Sequence, residues 1–297
     1  MIIDVHTHLW PPDQTPKEMI SYFKKREFGT EISNILSGEG LLSYMKKANI
    51  ERSIVAPLAF HADADNKELK QYNLYVKEEV KKANEKLIGL CMINPYEGEE
   101  SIELLRKYIE DWDFQGLKLH PSIQEFYPNN EEIFPIYETM QEYKLPILFH
   151  SGSIGIKPFK NKFSRPYLLD DVACEFSELP IILGHSGRIW YEETAMLLRK
   201  HENIYADIST NIGRLESNIS APMEWMLSKI KIWSGNLDKV FFGSDYPFYF
   251  QEKTLDVLNK AKKGSNLSSH YDDLITKKDI KKITTKNYYE FCKKYDL

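Results

Sequence analysis

The chain is poor in most of the signals that would assign it to a specialised class. It has 3 cysteines in 297 residues. Cys91, Cys174 and Cys292 are far apart and show no CxxC spacing, which excludes a disulfide framework and a structural zinc knuckle. No run approaches the roughly 18 consecutive apolar residues that a membrane helix requires. The opening Met1-Ile2-Ile3-Asp4 lacks the positive flank and small-residue cleavage site of a signal peptide, so a cytoplasmic location is expected. Charge of neither sign is in excess: 39 Lys+Arg stand against 44 Asp+Glu, a formal net charge of −5. A global pull toward nucleic acid or an anionic membrane is therefore absent.

What is present is alternation. Short apolar, β-branched-rich runs occur at Ile2–His6, Ser53–Pro57, Leu87–Ile93, Gln115–Leu119, Pro146–Phe149, Ile181–Gly184, Ile204–Asp207 and Val240–Gly243. Nearly continuous hydrophobicity is the mark of parallel strands buried on both faces. Between them lie amphipathic stretches: Gly40–Ala48, Asn66–Asn84, Gly98–Asp111, Glu131–Tyr143, Leu168–Glu178, Tyr191–His201, Pro222–Trp233 and Lys253–Lys263. Dividing the length by about 150 residues per domain suggests two domains. Eight uninterrupted βα units instead predict one α/β domain over residues 1–297, a (β/α)8 TIM barrel.

Two segments exceed what a barrel requires. Residues 9–39, with Trp10, Tyr22, Phe23 and Phe28, follow the first strand on the active-site side and form either a lid or a decoration of the rim. Residues 266–297 form a C-terminal helical extension whose lysines read as a solvated helix face.

Five of the eight histidines, His6, His8, His120, His150 and His185, fall at or just beyond the C-terminal end of a predicted strand. In a barrel those ends converge on the active-site mouth. Alternation along a strand puts His6 and His8 on one side, expected to be the interior, with Asp4 on the same face one layer deeper, where it would orient a ligand. Imidazole pairs of this kind suit Zn, Fe or Mn. The fifth and sixth strands end in His150-Ser-Gly and His185-Ser-Gly, turns in which glycine lets a ligand approach the backbone. Asp245 follows the eighth strand, and Lys118 and His120 share a face on the fourth. A carboxylate or a lysine aimed into a barrel requires a cation, a counter-ion or a loss of charge.

These motifs, Asp4-x-His6-x-His8, Gly116-Leu117-Lys118-Leu119-His120-Pro121, His150-Ser-Gly, Gly184-His185-Ser-Gly and Gly243-Ser244-Asp245-Tyr246-Pro247, resemble the amidohydrolase superfamily in order and strand position from residue 2 to about 250. The uninterrupted barrel is most similar to the branch that includes aminocarboxymuconate semialdehyde decarboxylase, resorcylate-type decarboxylases and lactone hydrolases. The resemblance implies that His6, His8, His150 and Asp245 hold a divalent metal, Zn²⁺ in the first place with Mn²⁺ as the alternative. It implies that His185 is a further ligand or an acid/base. In a binuclear site Lys118 would carry a bridging carbamate, and His185 would bind the second ion. One ion is preferred to two, because the decarboxylase-like branch is mononuclear by resemblance.

Either count supports two reactions. A metal-activated water, with Asp245 or His185 as base, would hydrolyse a C–N or C–O bond in a small amide, ester or lactone; this is the leading expectation. The alternative is non-oxidative decarboxylation of an aromatic or muconate-like acid, with the anion held by Lys118 or Arg188. His120 and Trp10 are expected at the substrate, Tyr246 and Phe248 at the pocket floor or lid, and His61 in a solvated loop. His201 and His270 are assigned nothing. The partner implied is a small anionic or carbonyl-bearing molecule, with neither nucleic acid nor membrane; a homodimer follows from the resemblance alone.

Overall fold

The computed structural model describes residues 1–15, 17–24, 31–261 and 274–297. Phe28, His270 and residues 266–273 lie outside the described residues, as does the side chain of Tyr22. In chain order the elements are β1 (Ile2–His8), α1 (Lys17–Lys24), α2 (Ile32–Ile35), α3 (Gly38–Ala48), β2 (Ile50–Ala56), α4 (Asn66–Lys82), β3 (Leu87–Gly89), α5 (Gly98–Glu110) and β4 (Leu117–Leu119). They continue with α6 (Pro121–Gln124), α7 (Phe134–Glu142), β5 (Ile147–Gly152), α8 (Leu169–Glu175), β6 (Ile181–Arg188), α9 (Tyr191–Lys200) and β7 (Ile204–Asp207). Last come α10 (Ala221–Ser234), β8 (Val240–Phe241), α11 (Gln251–Ala261), α12 (Lys277–Lys281) and α13 (Asn287–Tyr295).

Local chemistry sets several boundaries. The Ser37 hydroxyl accepts from the Gly40 amide to start α3, and Asn49, at φ 54°, ends that helix in the left-handed conformation that asparagine tolerates. Asp65 caps α4 in the same way as Ser37 caps α3, accepting from the Glu68 amide.

All strand pairs are parallel, in the orders β1-β2-β3 and β4-β5-β6-β7-β8. Single bridges, Cys91 to Leu117 and Thr7 to Tyr246, join the two sheets. Backbone bonds complete the closure: Lys118 N to Cys91 O at 2.7 Å, Val5 N to Phe242 O at 2.9 Å and His8 N to Tyr246 O at 2.7 Å. The expected (β/α)8 barrel is the fold observed.

The core has two layers. Val55, Leu117, Phe149, Leu183 and Ala206 face outward and pack against the helices through Leu41, Val76, Tyr108 and Val257. Ile3, Val5, Ile54, Leu148, Ile182, Tyr205 and Phe241 fill the interior near the strand N-termini. The interior is closed below by α13, whose Tyr288, Phe291 and Tyr295 join that cluster. The tail thus has an apolar face inserted against the barrel bottom as well as a solvated lysine face.

β1 departs from simple alternation. Asp4 pairs with Ser53 but Thr7 with Val55, so β1 carries one more residue than β2 in this interval. This bulge turns the strand over. Ile3 and Val5 face the interior with Leu148 and Ile182. Beyond the bulge it is the even-numbered His6 and His8 that face the mouth, while Asp4 is left on the opposite side. Asp4 accepts from the Ser244 amide at 2.9 Å, the Ser244 hydroxyl at 2.6 Å and Gln251 Nε2 at 2.8 Å. The expectation that Asp4 shares the inward face of the histidines is therefore corrected: it fastens β1 to the segment carrying Asp245. Burial raises its carboxyl pKa to about 7, against the lowering effect of these hydrogen bonds.

Candidate active site

At the C-terminal ends of the strands the structure brings His6, His8 and Asp245 together, with one donor atom from each lying within 4.8 Å of the others. Asp245 Oδ1 is 3.3 Å from His8 Nε2 and 3.8 Å from His6 Nε2. The opposite ring nitrogens are already committed: His6 Nδ1 bonds Asp207 Oδ2 at 2.8 Å, and His8 Nδ1 bonds the Ala56 carbonyl at 2.9 Å. Each Nε2 is thereby left aimed inward with its lone pair available, the arrangement by which a second group orients a metal-binding imidazole.

Asp207 is the residue that strand-end reasoning missed. It closes the seventh apolar run at the same level as the other donors, which was its only sequence signal. Its Oδ1 accepts from the Ser209 amide at 2.8 Å, the His185 amide at 3.1 Å and the Ser209 hydroxyl. Burial raises its pKa, and these hydrogen bonds oppose the rise. Replacing Asp207 with Asn is expected to weaken divalent-metal affinity about 10- to 100-fold, because the His6 ring loses the acceptor that fixes its orientation. Titration against a competing chelator measures this.

His150 and His185 stand beside this group. His185 Nε2 is 3.0 Å from His150 Nδ1, and His185 Nδ1 is 2.7 Å from the Ser209 hydroxyl. His150 Nε2 is buried with no hydrogen-bond partner. The His120 ring stacks on that of His150 at 3.8 Å, and its Nδ1 accepts from the Ile123 amide, capping α6. Lys118 is buried with Nζ 3.3 Å from His6 Nε2. Burial lowers the lysine to about 8, with Asp245 and Asp207 opposing the shift. His6, His120, His150 and His185 are all held well below the ordinary imidazole range, foremost by burial. The neutral imidazole that this favours is the form that can bind a metal.

Three observations test the fit to a divalent cation. The Nε2 atoms of His6 and His8 converge on one carboxylate oxygen, a buried His150 nitrogen has no partner, and the donor set is nitrogen and oxygen. Such a set suits Zn²⁺ or Mn²⁺.

Backbone strain gathers here too: His185, Ser186, Thr210 and Asp245 have φ of 62°, 50°, 58° and 65°. Gly184 leaves room for the site, since a Cβ there would lie 3.0 Å from His6 Cε1. Gly152 has a different reason from the expected ligand approach. A Cβ would overlap the Arg188 backbone, so this glycine lets the ends of β5 and β6 close on each other.

Above the donors opens a cavity of about 590 Å³, with Leu58, Phe60, Ile154, Ile156, Ile212 and Phe248 among its walls. Lys118 lies at its base, and Arg188 and Arg214 also line it. Arg214, in the loop after β7, was not singled out from sequence. Two expected substrate contacts do not reach the cavity. Trp10 is fully buried, donates Nε1 to the Leu58 carbonyl at 2.5 Å and packs behind His8 with ring centroids 5.5 Å apart. Tyr246 is buried, and its hydroxyl donates to the Ile35 carbonyl at 2.7 Å. His61 pairs with Asp63 and Glu68 outside the cavity. From the insertion, Met19 and Phe23 pack with Trp10 and Leu58, and Phe23 meets the wall residue Phe248 at 5.6 Å.

The amidohydrolase family profile matches residues 3–263. No functionally curated sequence matches the chain. Solved structures share the fold at low identity. A dihydroxybenzoic acid decarboxylase from Polaromonas sp. JS666, with manganese and 2-nitroresorcinol bound, is 17% identical with a TM-score of 0.74, covering 98% of this chain and 96% of its own. A 5-carboxyvanillate decarboxylase from Novosphingobium aromaticivorans, also with manganese, is 15% identical with a TM-score of 0.70, covering 100% and 96%. A 2,6-dihydroxybenzoate decarboxylase from Rhizobium is 16% identical with a TM-score of 0.70, covering 98% of each chain.

Proposed function

The chain belongs to the amidohydrolase family, and from that premise we propose that it is a metal-dependent, non-oxidative decarboxylase of a small aromatic or conjugated carboxylic acid. The observation that carries this reading is the composition of the cavity: a carboxylate-imidazole centre at the base, three cationic side chains around it and apolar walls above. Hydrolysis of an amide, ester or lactone uses the same donors but has no need of Lys118, Arg188 and Arg214 together. An anionic ring acid uses all of them. That dihydroxybenzoate and carboxyvanillate decarboxylases share the fold supports the same choice over hydrolysis.

His6, His8 and Asp245, with His150 beside them, would hold one divalent cation, which when bound would supply positive charge to polarise an oxygen of the acid. Lys118 carries no carbamate in this reading and, as an ammonium, balances substrate charge from below. Arg188 holds the anion from the β6 end. Asp245, whose carboxyl pKa is raised by burial, protonates the ring carbon that bears the carboxylate. That carbon takes the proton with a ring electron pair. The C–C bond then breaks, its electrons return to the ring and CO₂ departs, so that R–COO⁻ + H⁺ gives R–H + CO₂. His185, held by Ser209 and His150, positions the rings of the centre. The insertion, through Phe23 against Phe248, closes one wall, and the whole chain acts as one unit.

Incubation of Mn²⁺- or Zn²⁺-loaded protein with hydroxybenzoates and with lactones tests the reading. CO₂ release from the acids supports it; acid release from lactones without CO₂ overturns it. Arg188→Gln is expected to raise KM for the acid about 10- to 100-fold, the worth of one charged hydrogen bond. Steady-state kinetics measures that change, and kcat should move less.

A further inference from the structure

Away from the barrel mouth, α8 and the end of α9 gather a second donor set that the proposed reaction does not use. Asp170 and Cys174 are four residues apart on α8, hence on one helix face. His201 follows α9 directly and is 7% exposed. Its Nε2 is 2.7 Å from Asp170 Oδ1, and one donor atom from each of Asp170, Cys174 and His201 lies within 4.8 Å of the others. We propose that these three side chains form a second divalent-metal site, of zinc type, on the outer wall of the barrel.

Thiolate sulfur, imidazole nitrogen and carboxylate oxygen are the three ligand classes that Zn²⁺ takes, at about 2.0–2.3 Å, so tetrahedral ligands stand roughly 3.3–3.8 Å apart. The donor atoms, all within 4.8 Å of one another, are about 1 Å or less from that spacing, and water would fill the fourth position. The group that competes for this place is Lys200, whose Nζ lies 2.8 Å from both Asp170 oxygens. Its side chain is half exposed, so it can swing into solvent while the metal takes over neutralisation of Asp170. The other cysteines do not compete: Cys91 is buried against the Gly116 carbonyl, and Cys292 belongs to α13. An ion here would tie α8 to the end of α9.

The test uses the full chain and Co²⁺ as the probe, because only a thiolate ligand adds sulfur-to-cobalt charge-transfer absorption in the near ultraviolet. That band is expected to appear in the wild type and to stop growing by two equivalents of total Co²⁺, one for the barrel mouth and one for this site. It should be lost in Cys174→Ser, a change at an exposed position, and His201→Gln should bind at least 10-fold more weakly. Far-ultraviolet circular dichroism confirms that both variants are folded. Absence of the band in the wild type, or its survival in Cys174→Ser, overturns the site. Neither result depends on catalytic activity.

Discussion

Asp245→Asn, loaded with Mn²⁺, is expected to lose about 10²- to 10⁴-fold in kcat, the usual contribution of a positioned proton carrier. The substitution preserves shape. Asp245 sits at φ 65°, which asparagine tolerates, and its amide donates to the His6 carbonyl at 2.8 Å, a backbone bond that the side chain does not affect. What the amide cannot do is carry a proton to carbon. It also weakens the metal centre by removing an anionic donor, so metal content must be measured with the kinetics. A variant that retains its metal and keeps kcat within tenfold of wild type would remove Asp245 from the proton-transfer role.

Phe291→Ala is expected to lower stability by about 3–5 kcal/mol, the cost of truncating a buried phenylalanine. Phe291 is 1% exposed, and its ring meets those of Tyr205, Phe241, Tyr295 and Tyr288 at 4.8, 5.4, 5.0 and 5.6 Å. Tyr205 and Phe241 belong to β7 and β8, so the cavity left would open directly into the barrel interior. Urea unfolding monitored by tyrosine and tryptophan signals measures the change. An unchanged midpoint would mean that α13 is separate from the cooperative barrel, against the proposal that residues 1–297 form one unit.

Much of this architecture was readable locally. A parallel strand buried on both faces has to be apolar along its length, so the eight runs in sequence became the eight strands, with ends that moved by a few residues. β1 continues to His8, for example, whereas β3 stops at Gly89. The positions of the candidate donors were legible for the same reason. His6, His8, His150, His185 and Asp245 stand where apolar runs end, and a polar group placed there has few uses other than the mouth of a barrel. Arg214 was not, because a loop arginine has no periodic pattern to mark it.

The sequence by itself therefore determined the alternation of strand and helix and the level at which the donors stand, since both follow from residue type over short stretches. The tertiary structure alone decided three other matters. The bulge in β1 turns Asp4 away from the histidines, and it exists only in the register of β1 against β2. Asp207 becomes the acceptor for His6 across a separation of 201 residues, a contact no local pattern encodes. The lysine-rich tail seals the barrel bottom because the interior ring of Ile3, Tyr205 and Phe241 is apolar and would otherwise face water. Each depends on groups that meet only after the barrel closes.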